Sequence, residues 1–128
     1  MSRPQAALPP APDLARYRAS AARRRDARSK ALAARETRAW EVARQAAALL
    51  SSRFGASRVV VFGSLARPGE FTAWSDVDVA AWGLRQSDTF AAVAALLGLD
   101  PEIEVNLVDV GACSSELLIA IERDGREP

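Results

Sequence analysis

The chain has 128 residues, 49% of them hydrophobic and 26% charged, which is the composition of one globular domain able to bury a core. Histidine is absent and Cys113 is the single cysteine. An intramolecular disulfide is therefore excluded, and any metal chemistry must use carboxylates, which favour Mg²⁺ over zinc. The lone cysteine fits a cytoplasmic, reducing setting. No apolar run approaches the roughly 18–20 residues that cross a bilayer, so we expect no membrane contact.

The net charge of +1 conceals two parts of opposite sign. Residues 1–53 carry 12 lysines and arginines and 4 acidic residues, a net charge of +8. Residues 54–128 carry 5 basic and 12 acidic residues, a net charge of −7. This asymmetry predicts a chain organised in two parts.

The N-terminal part is predicted to be a lead-in followed by one long helix. Residues 1–12 are Pro-rich and are expected to be disordered. Asp13 should cap a basic helix over 13–53, because no proline or glycine interrupts that stretch and good helix formers dominate it. From residue 36 onward, apolar residues at helical spacing predict packing on the core. They are Trp40, Ala43, Ala47, Leu50 and Phe54, with Val42, Ala46 and Leu49 alongside.

The remaining sequence, 54–128, predicts three strands and two helices. The strands are expected at 57–63 ("SRVVVFG"), 76–82 and 102–110, and the helices at 88–98 and from Ser114 or Ser115 to about Glu122. Ser87 should cap the first of these helices. A small sheet with helices packed on it follows, which is an α+β (α/β two-layer) fold.

Two aspartates one residue apart, Asp76 and Asp78, interrupt the second strand. Residues two apart in a strand point to the same face, so the carboxylates should project together and repel each other unless a cation binds them. Mg²⁺ commonly binds one or two carboxylates together with substrate phosphates. On the neighbouring strand, Gly63 lets backbone approach a phosphate, Ser64 supplies a hydroxyl, and Arg67 adds a charge-assisted contact. The sequence therefore predicts a metal–triphosphate site.

A strand that ends in Gly-Ser, followed about a dozen residues later by Ser-Asp-x-Asp on the next strand, is a specific combination. The stretch "VVVFGSLARPGEFTAWSDVDVAAWG" resembles the signature of the DNA-polymerase-β-type nucleotidyltransferase superfamily, and within it the minimal nucleotidyltransferase (MNT) domains. The similarity continues through "VNLVDV" and "SSELLIAIERDG" and covers roughly residues 40–125. It implies a small mixed β-sheet of the nucleotidyltransferase type with packed helices, and a minimal nucleotidyltransferase core over 54–128.

The resemblance also implies a two-metal mechanism, in which Asp76 and Asp78 hold Mg²⁺ ions that bridge the triphosphate of ATP or another NTP. The implied nucleotide contacts are Gly63, Ser64, Arg67 and Ser75. A hydroxyl attacks the α-phosphorus, which gives a nucleotidylated product and pyrophosphate. Proteins of the MNT type often pair with RNA-cleaving HEPN-domain toxins and act as antitoxins by adding AMP to a toxin tyrosine. The implied partner of this chain is therefore a HEPN-domain toxin.

One position departs from the family pattern. The family's third carboxylate lies in a pattern like V-D-L-V-D, whereas this chain has "VNLVD" and so places Asn106 there. An amide coordinates a metal only through its carbonyl and cannot accept a proton as a base. Glu104, two residues earlier on the same face, is a partial substitute, whereas Asp109 should project to the opposite face. A catalytically impaired fold that neutralises its partner by binding alone is therefore an alternative, and an aminoglycoside-like small-molecule transferase is a further one.

The basic segment 14–35 is largely polar, and the core motif says little about it. A solvated helix, a surface for a protein partner and a homo-oligomer contact all fit its composition. RNA contact is disfavoured because Tyr17 is the only aromatic residue before Trp40, so aromatic stacking on bases lacks support.

Overall fold

The computed structural model describes residues 11–128, so most of the predicted lead-in lies outside the described residues. The described part is an α+β fold, as predicted. Its helices are α1 (Ala11–Phe54), α2 (Thr89–Leu97) and α3 (Ser115–Asp124), and its strands are β1 (Arg58–Phe62), β2 (Val77–Trp82) and β3 (Val105–Asp109). Single 3₁₀ turns occur at Gly63–Leu65, Gln86–Asp88 and Val110–Ala112. In residues 11–128 no helix combines the length and apolar character that a membrane span requires.

Helix α1 is continuous over 44 residues and begins earlier than predicted. The prediction that Asp13 is its N-cap is wrong, because the helix starts at Ala11 and Asp13 lies in its first turn. Pro12 is tolerated there, since the first turn has no helical partner for its missing N–H. The negative charge of Asp13 still stabilises the positive end of the helix dipole.

The chain divides into two compact units, the second of which spans Ala34–Pro128. In the first unit, the described side chains from Asp13 to Ala33 are exposed or half-buried, and Lys30 pairs with Asp26 at 3.2 Å. In the second unit, α1 contributes residues that are fully buried. These are Ala39, Val42, Ala43, Ala46 and Leu50. All but Ala39 were predicted to face the core, whereas the predicted Trp40, Ala47 and Phe54 are only half-buried beside them.

The three strands form one mixed sheet in the order β1-β2-β3. Strands β1 and β2 are antiparallel, with Phe62 opposite Asp78, and β2 and β3 are parallel, with Asp78 opposite Asn106. Strand β3 is shorter than predicted because the Asp100 side chain accepts the backbone N–H groups of the next residues, Glu102 at 2.8 Å and Ile103 at 3.0 Å. Those bonds hold the segment in a turn, so pairing starts only at Val105.

The sheet buries apolar side chains on both faces. On one face, Val60 and Ala80 pack against Ile121 of α3, and Val61 and Val79 on the other face are fully buried. Asp78 lies on the α3 face, because alternate residues of β2 share a face. As the predicted alternation requires, Asp78 is on one face of the sheet, and Val77 and Val79 are on the other.

The two short helices differ in how they begin. Ser114, one of the two predicted starting residues, caps α3, since its Oγ accepts the N–H of Leu117 at 3.2 Å. The prediction that Ser87 caps α2 is wrong. Ser87 lies inside the 3₁₀ turn Gln86–Asp88, and Asp88 occupies the N-cap position.

Candidate functional site

Two carboxylates and an amide meet where β2 begins. The side-chain Nδ2 of Asn106 donates to Oδ1 of Asp78 at 3.1 Å and to Oδ2 of Asp76 at 3.4 Å. Parallel pairing of β2 with β3 places Asp78 and Asn106 side by side, and Asp76 lies two residues before Asp78 on the same face. Three of the residues singled out from sequence therefore form one cluster.

The turn after β1 packs directly against this cluster. Gly63 has φ +72°, and a Cβ atom there would overlap the Asp78 carboxylate. The N–H groups of Ala66 and Arg67 both donate to the Gly63 carbonyl, at 3.1 Å and 3.2 Å, which fixes the turn that carries Ser64. A glycine is required at this position for its backbone conformation and for its small size.

Gly63→Ala should destabilise the fold more than Gly69→Ala does. Gly69 also has a positive φ, +77°, but an added Cβ meets nothing within 4 Å, so only the backbone strain applies, about 1 kcal/mol. At Gly63 the overlap with Asp78 is added, so we expect a loss of about 2–4 kcal/mol. Denaturant unfolding of the two variants measures the difference. Equal losses would contradict the close approach of Gly63 to Asp78.

The environment of Asp78 makes its ionised form costly. Burial is the main cause that raises the pKa of Asp78, and the nearby charge of Asp76 also raises it. The hydrogen bond from Asn106 and the charge of Arg67 act in the opposite direction. Because the raising effects dominate, the ionised carboxylate lacks full compensation from the protein's own groups.

The raised pKa of Asp78 sets an expected dependence of stability on pH. A carboxyl that binds its proton more tightly in the folded than in the unfolded chain loses stability as the pH rises from its ordinary value of 3.8 through the raised value. Asp78→Asn removes this charge, so at pH 7 and without Mg²⁺ the variant should unfold at a higher temperature than the parent chain. The gap should narrow as the pH falls toward 4. Thermal scans in a chelating buffer measure it, and a gap that is absent at pH 7 would contradict the assigned environment.

The donor set suits a hard cation. Carboxylate oxygens from Asp76 and Asp78 converge on one point, the Asn106 amide, and rotation of that amide would turn its carbonyl oxygen toward the same place. Within residues 11–128 there is no group of three or more His, Cys, Asp or Glu side chains placed to hold a metal ion. Two carboxylates with phosphate oxygens are a common environment for Mg²⁺, so the residues present fit that ion.

The remaining residues predicted for the site have other contacts. Arg67 pairs with Glu70, and its Nη1 lies 3.8 Å from Asp124. The hydrogen bond that Arg67 donates to the Glu70 carboxylate is the main reason why the pKa of Arg67 is raised. The Arg67 guanidinium therefore stays charged. It lies close enough to Asp78 for its charge to lower the pKa of Asp78.

Ser75 and Glu104 use their polar groups to hold the backbone around Asp76. The Ser75 hydroxyl accepts the Thr72 N–H at 2.9 Å and contacts the Thr72 hydroxyl at 3.0 Å. The Glu104 carbonyl accepts the N–H of Val77 at 2.9 Å, and its side chain is exposed. Both residues therefore lie beside the cluster, and neither side chain is bonded to it.

A cleft of about 620 Å³ opens next to the cluster, and Asp76 and Glu104 are part of its wall. Sequence reasoning missed the other residues that shape it, among them Trp74, Leu97 and Glu102. A tryptophan in the loop just before Ser-Asp-x-Asp was the one available signal. The cleft depends on residues 74 and 97 meeting the 100–104 segment, which a sequence pattern does not show.

Comparison of the chain with protein-family models and with curated proteins gives no match. The grounds for assigning a function are therefore the geometry of the site and the resemblance of its motifs.

Proposed function

We propose that the chain is an Mg²⁺-dependent nucleotidyltransferase of the MNT type, which acts in the cytoplasm as an antitoxin. It would transfer AMP, or another NMP, from an NTP to a tyrosine hydroxyl of a HEPN-type RNase toxin. The observation that carries the proposal is the convergence of Asp76 and Asp78 on one face, with Gly63 packed against Asp78. A nucleotide site of this type needs paired carboxylates beside a turn with no side chain in the way.

Each residue has a defined task in this proposal. Asp76 and Asp78 would hold Mg²⁺, which supplies charge neutralisation of the triphosphate and of the attacking and leaving oxygens when bound. Gly63 and Ser64 would contact the phosphates at the turn beside Asp78, and Arg67 keeps a positive charge on that side. The fold holds these groups in fixed positions, and positioning is the main contribution that a protein makes to this kind of transfer.

A second candidate, neutralisation of the partner by binding alone, is favoured by one observation. Asn106 donates to both aspartates, so the amide partly satisfies the carboxylates without a cation. Asparagine also adds no negative charge to a metal site. A chain of this kind would keep the fold and lose turnover.

Transfer of label from α-phosphate-labelled ATP separates the two candidates. The chain is incubated with Mg²⁺ and a HEPN-type toxin, and label on the toxin is measured after gel separation. Label on a toxin tyrosine supports the transferase. Toxin neutralised in a stable complex, with no label, supports the binding-only alternative.

A further inference from the structure

The cleft beside Asp76 carries an exposed aromatic side chain on an anchored turn. Trp74 is 91% exposed, although its neighbour Phe71 is only 5% exposed and fastens the turn to the core. The Trp74 N–H donates to the Thr72 hydroxyl at 3.2 Å, which sets the direction of the turn. Leu97, 57% exposed, adds a second apolar surface to the cleft. A large aromatic ring left in water beside a cleft favours a ligand that covers it.

The other side chains of the cleft give it a negative charge. Its acidic residues are Asp76, Asp100, Glu102 and Glu104. Asp100 is neutralised by Arg38, whose Nε lies 2.8 Å from its carboxylate. Among the described residues, the side chains of Glu102 and Glu104 have no ion-pair partner within 4.0 Å.

Arg35, the basic residue of the cleft among residues 11–128, does not offset this charge at close range. The two terminal nitrogens of Arg35 donate to backbone carbonyls, to Ser75 at 2.9 Å and to Glu102 at 3.2 Å. Its guanidinium is therefore bonded to the main chain, while the carboxylates of Glu102 and Glu104 remain free to bind a cation. A triphosphate would be repelled from this side of Asp76, whereas the Gly63 side has Arg67 nearby.

We propose that this cleft binds the acceptor, and that the acceptor presents lysine or arginine side chains next to the hydroxyl that is modified. The inference rests on the proposed function, because it assigns the second substrate of the same site. A cation over the Trp74 ring gains a cation–π interaction, and the free carboxylates of Glu102 and Glu104 complement its charge. The hydrocarbon stems of lysine and arginine would cover Leu97. The acceptor hydroxyl would then lie next to Asp76, where transfer is proposed.

Binding of two capped peptides, Lys-Lys-Tyr-Lys-Lys and Glu-Glu-Tyr-Glu-Glu, to the full chain tests the inference. Each peptide carries a fluorophore, and anisotropy is measured without nucleotide or Mg²⁺, so the result does not depend on transfer. The basic peptide should bind more tightly than the acidic one. Trp74→Ala and Glu102→Gln should each weaken its binding by about three- to tenfold.

Two variants outside the cleft serve as matched controls. Phe90→Ala removes another aromatic ring, 92% exposed on α2, and Glu116→Gln removes an exposed carboxylate in the first turn of α3. Both should bind the basic peptide as the parent chain does.

Equal binding of the two peptides, or binding that is unchanged in Trp74→Ala, would overturn the assignment of the cleft. The assignment would also be overturned if ATP alone displaced the basic peptide from the parent chain but not from Trp74→Ala. The Trp74 ring would then stack on the nucleobase. Failure of the proposed function has a different signature. The peptide preference would persist, with its dependence on Trp74, while no label was transferred to any toxin.

Discussion

Asp76→Asn and Asp78→Asn will each lower transfer of labelled nucleotide by about 10²- to 10³-fold or more. Asparagine keeps the shape of the side chain and removes its negative charge, so the loss would report on the charge proposed to hold the cation. Asp78 faces Gly63 and both aspartates contact Asn106, so neither change should disturb the fold beyond this cluster. The rate of label transfer, measured at saturating Mg²⁺ and toxin, checks the prediction.

Asp109→Asn is the matched control for these two variants. Asp109 lies on β3 three residues after Asn106, and therefore on the other face of the sheet. Its carboxylate accepts the Gly111 N–H at 3.0 Å, a bond that asparagine also makes through its carbonyl oxygen. Transfer should be unchanged in this variant. If the parent chain transfers label and Asp76→Asn or Asp78→Asn transfers it equally fast, the substituted aspartate has no role in the mechanism.

Asn106→Asp will have opposite effects on activity and on stability. The new carboxylate completes the acidic set that the resemblance implies, so transfer should rise by at least about tenfold, which corresponds to 1.4 kcal/mol of added stabilisation of the transition state. Without Mg²⁺, the same change replaces a donor that contacts both aspartates by a third negative charge. The free energy of unfolding should then fall by about 1–3 kcal/mol.

Added Mg²⁺ should restore the stability of Asn106→Asp, because a bound ion stabilises the folded chain by mass action. Asn106→Ala is the control, since it removes the amide and adds no charge. It should gain no activity and should be stabilised by Mg²⁺ no more than the parent chain is. Denaturant unfolding with and without Mg²⁺ measures how much the ion stabilises Asn106→Asp and Asn106→Ala. An Asn106→Asp chain that loses no stability in chelating buffer would contradict the contacts of Asn106 with the two aspartates.

Local patterns in the sequence were enough to predict the centre of the site. The period of two along β2 places Asp76 and Asp78 on one face, and the glycine that ends β1 marks the turn. Both features depend on neighbours within a few residues. The α+β class followed from the order of short strands and helices, and the structure confirms it.

Features that depend on distant residues were not predictable in the same way. The bridge from Asn106 to both aspartates requires the register of β2 with β3, which joins residues 28 and 30 positions apart. The cleft requires Arg35 on α1 to bond the Ser75 carbonyl, 40 residues away. The late start of the predicted third strand has a local cause, since the Asp100 side chain competes for backbone N–H groups. The alternating pattern of residues 102–110 alone favoured a longer strand.

Titration of Mg²⁺–ATP into the parent chain and into Asp78→Asn by calorimetry tests the central claim most directly. The claim is that Asp76 and Asp78 form a metal–triphosphate site with the Gly63 turn, and binding measures this without any need for turnover. The parent chain should bind Mg²⁺–ATP, and Asp78→Asn should bind it at least about tenfold more weakly, a loss of 1.4 kcal/mol or more. Asp109→Asn should match the parent chain. Equal affinity in the parent chain and in Asp78→Asn, or no binding by the parent chain, would contradict the claim.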